Sequence, residues 1–86
     1  MAESFSIERR RLLRLCRDKA MPAGALAEGA GMAAASVSEH LKVLRKTGLA
    51  EVEKRGKFWL YKTNTRLVAE VLTALRAELL EEDGND

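Results

Sequence analysis

Residues suited to binding an extended polyanion are concentrated in one stretch of the sequence. Ala35, Ser36, Ser38, Glu39, Lys42 and Lys46 recur at helical spacing, and Lys54, Arg55 and Lys57 then surround Gly56. Hydroxyls and ammonium groups on one helix face can reach phosphate oxygens and base edges, and an alanine methyl fits against the methyl of thymine. Three cations around one glycine suit a sugar–phosphate backbone. Glu39 cuts across this pattern: it can accept from a cytosine amino group, but it also repels phosphates, so base reading is expected to be modest and partly shape-based.

Other chemistries lack their residues. The chain has one cysteine, Cys16, and one histidine, His40. It has no phosphate-binding glycine loop and no nucleophile–histidine spacing with a third group, so it is not read as an enzyme. A soft metal needs several thiolate or imidazole donors at close spacing, so no metal site and no cofactor are expected. His40 is read as packed and hydrogen-bonded, and Cys16 as a small core hydrophobe. A lone thiol and the absence of a long apolar run point to a cytoplasmic protein with no membrane span. The N-terminus, MAESFSIERRR, has no apolar core of signal-peptide type.

Charge follows the same division. Net charge is +2 over 86 residues. Residues 1–20 carry +3, 21–40 carry −2, 41–62 carry +5 and 63–86 carry −4. The positive charge is therefore concentrated where the polyanion-binding residues lie. Arg9, Arg10, Arg11 and Arg14 are read chiefly as the wet face of a first helix.

The elements that must position these groups can be read from periodicity. A first helix is expected from Ile7 to about Arg17, with Leu12, Leu15 and Cys16 on one face. Met21-Pro22 ends that region, and Pro22 opens a second helix that stops at Gly29 and Gly31. A third helix runs from near Ala33 to about Lys46, with Val37, Leu41 and Leu44 inward and Gly48 as its left-handed stop. Two helices joined by a short glycine turn make a helix-turn-helix. Strands are expected at 49–54 and 57–62, with Arg55-Gly56 as the turn. Asn64 caps a last helix from Thr65 to about Leu80. One domain, 1–80, is followed by an acidic disordered tail, 81–86.

The segment SVSEHLKVLRKTGL, followed by a strand, an R-G-K turn and FWLYK, resembles the winged helix-turn-helix of the ArsR/SmtB repressors. Ser38, His40, Leu41, Leu44, Gly48, Leu49, Gly56 and Tyr61 match that pattern, and Leu60 stands where the first of two tyrosines is usual. The resemblance implies a mainly α fold with a small β-hairpin wing, in the order α-α-α-β-β-α. It also implies a homodimeric transcriptional repressor. The family's metal-binding C-V-C positions correspond to Pro22, Ala23 and Gly24, and the last helix has Glu70 and Glu78 but no histidine. Both known sensor sites are therefore absent.

The apolar circumference of the last helix is wider than one neighbour can cover. Val68, Val71, Leu72, Leu75 and Leu79, with Phe5, Ile7, Leu12 and Leu15 near the N-terminus, are expected to meet a second copy of the chain. The expected partners are double-stranded DNA carrying a palindromic operator and a homodimeric mate; an effector is not identified by any residue. Glu39, the alanine-rich helix start and the acidic tail also fit a second reading, a winged-helix module that binds a partner protein.

Overall fold

The computed structural model describes residues 6–80. The elements in chain order are α1 (Ile7–Leu15), β1 (Met21–Pro22), α2 (Ala23–Ala30), α3 (Ala34–Thr47), β2 (Ala50–Arg55), β3 (Phe58–Thr63) and α4 (Thr65–Leu79). Four helices and a three-stranded antiparallel sheet of order β1-β3-β2 make up the expected winged helix-turn-helix. Phe5 and the acidic tail lie outside the described residues. None of the described helices is long and apolar enough to cross a membrane.

Local signals explain most of the boundaries. Ser6 caps α1 by accepting from the Arg9 amide, and Asn64 caps α4 by accepting from the Leu67 amide. The turn between α2 and α3 is a glycine stop: Gly31 adopts φ 67, and Met32 N–H reaches back to the Ala27 carbonyl. Gly48 ends α3 at φ 88, and a side chain there would press a Cβ to 3.2 Å from Leu67 Cδ2. Thr47 helps close this end by donating to the Leu44 carbonyl while accepting from the Leu49 amide.

Four boundaries differ from the sequence reading. The first helix ends at Leu15 with Cys16 as its cap, short of the expected Arg17. Met21-Pro22 forms a two-residue strand paired with Tyr61 and Leu60, and Pro22 is the cap of α2 rather than its first residue. Proline is tolerated there because β1 is an edge strand. The second helix runs through Gly29 and stops at Gly31 alone. Finally, Arg55 pairs with Phe58, so Gly56 and Lys57 are the two loop residues of the hairpin. Gly56 has φ 62, the glycine-first pattern of a hairpin turn.

The core sits at the junction of α1, α2 and α3. Leu12, Leu26, Val37, Leu41 and Leu44 are fully or almost fully buried there, with Cys16, Leu49 and Ala50 around them. The α3 stripe read as inward-facing is therefore in place. α4 buries none of its residues fully and touches the core only through its first turn, at Leu67 and Val68.

A polar joint ties the C-terminal end of α1 to the sheet. The Thr63 hydroxyl donates to the Leu13 carbonyl at 2.6 Å, Thr63 N–H donates to the Cys16 carbonyl, and the Cys16 thiol donates to the Leu12 carbonyl. Terminal carbonyls that the helix cannot satisfy internally thus find partners on β3. Thr63→Val keeps the shape but leaves the Leu13 carbonyl unsatisfied in a dry place. It should cost about 1–3 kcal/mol in urea unfolding, and an unchanged midpoint would refute the joint.

Candidate nucleic-acid interface

The outer face of α3 is built by elimination. Val37, Leu41 and Leu44 are drawn into the core, which leaves Ala35, Ser36, Ser38, Glu39, Lys42 and Lys46 exposed. All six expected residues are therefore exposed, with Ala35, Glu39, Lys42 and Lys46 along one stripe and Ser36 and Ser38 on its two flanks. Arg45 is exposed with them. It stands three residues after Lys42 and seven after Ser38, so helical spacing alone marks it, although the sequence reading passed over it.

The start of α3 has no side-chain cap. Ala33 occupies the cap position, and the first turn contains no acid. The first amides of a helix have no internal partner, so this end presents free N–H groups and the positive end of the helix dipole. Glu39 lies further along and places its carboxylate 3.9 Å from the Lys42 ammonium. Both are well exposed, so the pair is weak.

The wing places Lys54, Arg55 and Lys57 in the open around Gly56. Arg55 Nε bonds Glu53 at 3.0 Å, whereas none of the ion pairs found among the described residues involves Lys57, Lys54 or Arg45. Trp59 links helix and wing. It faces Lys54 across the β2–β3 ladder, and the Lys54 ammonium lies 4.8 Å from its ring centre. The Arg45 guanidinium lies 5.2 Å from the same ring. Tyr61 instead packs on the core.

The other singled-out groups lie away from this face. His40 Nδ1 accepts from Arg9 Nε at 2.9 Å, which ties α1 to α3 and fits the packed, hydrogen-bonded role expected of it. Arg11 donates to the Ala30 carbonyl at the end of α2. Arg10 and Arg14 line a groove with Leu13, Val68 and Leu72, where α1 meets α4. Among the described residues, no three of His, Cys, Asp and Glu come close enough to hold a metal ion.

The expected dimer surface is only partly available. Leu12 is fully buried in the chain's own core and is withdrawn from that surface, because a side chain already enclosed by Leu26, Val37 and Leu41 has nothing left to offer a second copy. Leu15 and Val68 are half-buried against the same core. Ile7, Leu72, Leu75 and Leu79 are exposed, Leu72 and Leu79 by 57% and 72%, and Val71 is half-buried beside them. Leu80 extends the exposed stripe.

A helix-turn-helix followed by a two-stranded wing defines a winged helix-turn-helix protein. Residues 8–53, more than half of the chain, match the family model of the helix-turn-helix domain, and the chain belongs to that family. Several solved structures share the fold. A possible transcriptional regulator for arsenical resistance superposes with TM-score 0.79 at 24% identity, covering 93% of this chain and 83% of the other. The homodimeric winged helix-turn-helix DNA-binding domain of Mb0332 from Mycobacterium bovis, described as a possible ArsR-family regulator, gives 0.69 at 24%, covering 91% and 77%. The transcriptional repressor BigR from Xylella fastidiosa gives 0.70 at 21%, covering 94% and 83%. No curated protein sequence matches the chain. The winged helix-turn-helix fold implied by the resemblance read from SVSEHLKVLRKTGL is present, and its helix-turn-helix part belongs to the matched family.

Cys16 generates a test of its environment. Burial pushes its thiol above the ordinary range, against the smaller opposing effect of its hydrogen bonds around Thr63. A raised folded-state value keeps the thiol protonated at neutral pH, and the associated stability is lost only as pH rises through that value. Iodoacetamide at pH 7.5 should therefore label the native protein far more slowly than the urea-unfolded chain. Equal rates would show that the thiol is accessible and ionised.

Proposed function

We propose that this chain is a dimeric DNA-binding transcriptional regulator acting as a repressor, with α3 in the major groove and the wing on the flanking backbone. The observation that carries the reading is the single exposed surface formed by the α3 face and the basic hairpin tip. The face of α3 turns outward only because its opposite stripe is core, and the wing continues the positive charge beyond it. A recognition helix of a helix-turn-helix enters the major groove with its N-terminal residues nearest the bases. The uncapped amides at the start of α3 and the hydroxyls of Ser36 and Ser38 suit that approach.

The dimer part of the reading rests on α4. A stripe of Leu72, Leu75 and Leu79 in water is unfavourable, and burying each leucine is worth about 1.5–3 kcal/mol. The Mb0332 domain is described as homodimeric, and it shares this fold. Two copies joined about a two-fold axis would set two recognition helices about 34–36 Å apart, one turn of duplex, and so would read a palindromic operator. Repression then follows from occupying a promoter.

Binding to duplex DNA from the region upstream of the protein's own gene, followed by fluorescence anisotropy at several salt concentrations, tests the reading. Lys57→Ala should weaken binding to every sequence and lower the salt slope by about 1, since Lys57 has no acid partner among the described residues to compensate. Ser38→Ala or Lys42→Ala should cost about 1–3 kcal/mol on the preferred site and much less on random duplex. A protein that binds no duplex even at low salt would favour the partner-protein module instead. For the dimer, Leu72→Glu combined with Leu75→Glu should give a folded monomer in sedimentation, with at least tenfold weaker operator binding. A dimer that survives both changes would exclude the α4 interface.

A further inference from the structure

Trp59 is the chain's single tryptophan, and it stands 42% exposed on the wing rather than in the core. A large ring left in water is accounted for when its polarised face is used. Two cations lie close enough to use it: Lys54, its partner across the hairpin, and Arg45, from the last turn of α3. Both distances fall within the roughly 6 Å at which a cation is attracted to an aromatic face. Since one cation comes from the helix and the other from the wing, the ring is the link between the two parts of the proposed interface.

The choice of an aromatic partner has a chemical consequence. Arg55 is oriented by the Glu53 carboxylate at 3.0 Å, which competes with any incoming anion, whereas the Glu39 carboxylate stands only loosely beside Lys42 at 3.9 Å. A ring orients a cation without cancelling its charge. Arg45 and Lys54 are thus held in place while keeping their full attraction for phosphate.

We propose that Trp59 is a positioning residue that presents Arg45 and Lys54 as a pre-oriented cation pair for the DNA backbone, coupling the recognition helix to the wing. The proposal rests on the DNA-binding reading and adds to it a residue that need not touch DNA itself. Preorganisation of this kind raises affinity by reducing the ordering cost at binding.

Equilibrium binding of wild type, W59F, W59L, K54A and the W59L/K54A double variant to one duplex over a range of salt tests it, with circular dichroism and thermal melts of each. W59L should bind about five- to tenfold more weakly at fixed salt and lower the salt slope by up to about 1, with its circular dichroism unchanged. W59F, which keeps a ring, should recover much of both. K54A should cost less in the W59L background than in wild type, since the two changes remove the same arrangement. The single tryptophan should also change its emission with the same midpoint as duplex binding. Salt-dependent wild-type binding with an unchanged slope in W59L, or strict additivity with K54A, overturns the Trp59 assignment alone. Wild type that binds no duplex overturns the DNA reading and the Trp59 role with it.

Discussion

The interior contact of Leu12, Leu26, Leu41 and Leu44 governs the rest of the molecule. These four side chains come from three helices and are almost completely closed to water. They set how α3 is rolled about its own axis. A helix rolled by one residue turns by about 100°, which would carry Ser38 and Lys42 into the core and Val37 into solvent. In a chain of this size there is little other buried surface to correct such an error. The outward face of α3 is therefore a product of inward packing, and its chemistry is exposed because four leucines leave it no alternative.

Around that centre the polar groups divide by task. Some fasten elements together: Arg9 to His40, Arg11 to the end of α2, and Thr63 to the last turn of α1. Others lie on the surface, and among these the kind of partner matters more than the charge. Glu53 and Glu39 moderate Arg55 and Lys42, whereas Trp59 steadies Arg45 and Lys54 and leaves their charge intact. The candidate interface thus contains cations beside carboxylates and cations beside a ring.

Much of this was legible in the sequence, for identifiable reasons. The i, i+4, i+7 stripe of Val37, Leu41 and Leu44 and the stop at Gly48 are local patterns, and they located α3 and its outer face to within a residue or two. The Asn64 cap and the hairpin were equally local. What could not be read was long-range. Met21-Pro22 becomes a strand only because β3 lies beside it, and two residues carry no period of their own. Leu12 was assigned to a dimer surface because an apolar helix position looks the same whether a neighbouring helix or another subunit covers it. Arg45 was missed although its spacing was visible, and its meaning depends on Trp59, fourteen residues away in sequence and adjacent in space.

The Asn64 cap has a mechanical consequence. Its side chain starts α4, its amide donates to the Leu49 carbonyl at the foot of β2, and its Nδ2 reaches Glu51. Beyond that fastening α4 is a rod of fifteen residues, about 22 Å long, with none of its residues fully buried. The start of the last helix and the foot of the wing therefore share one fastening, at Leu49 and Asn64.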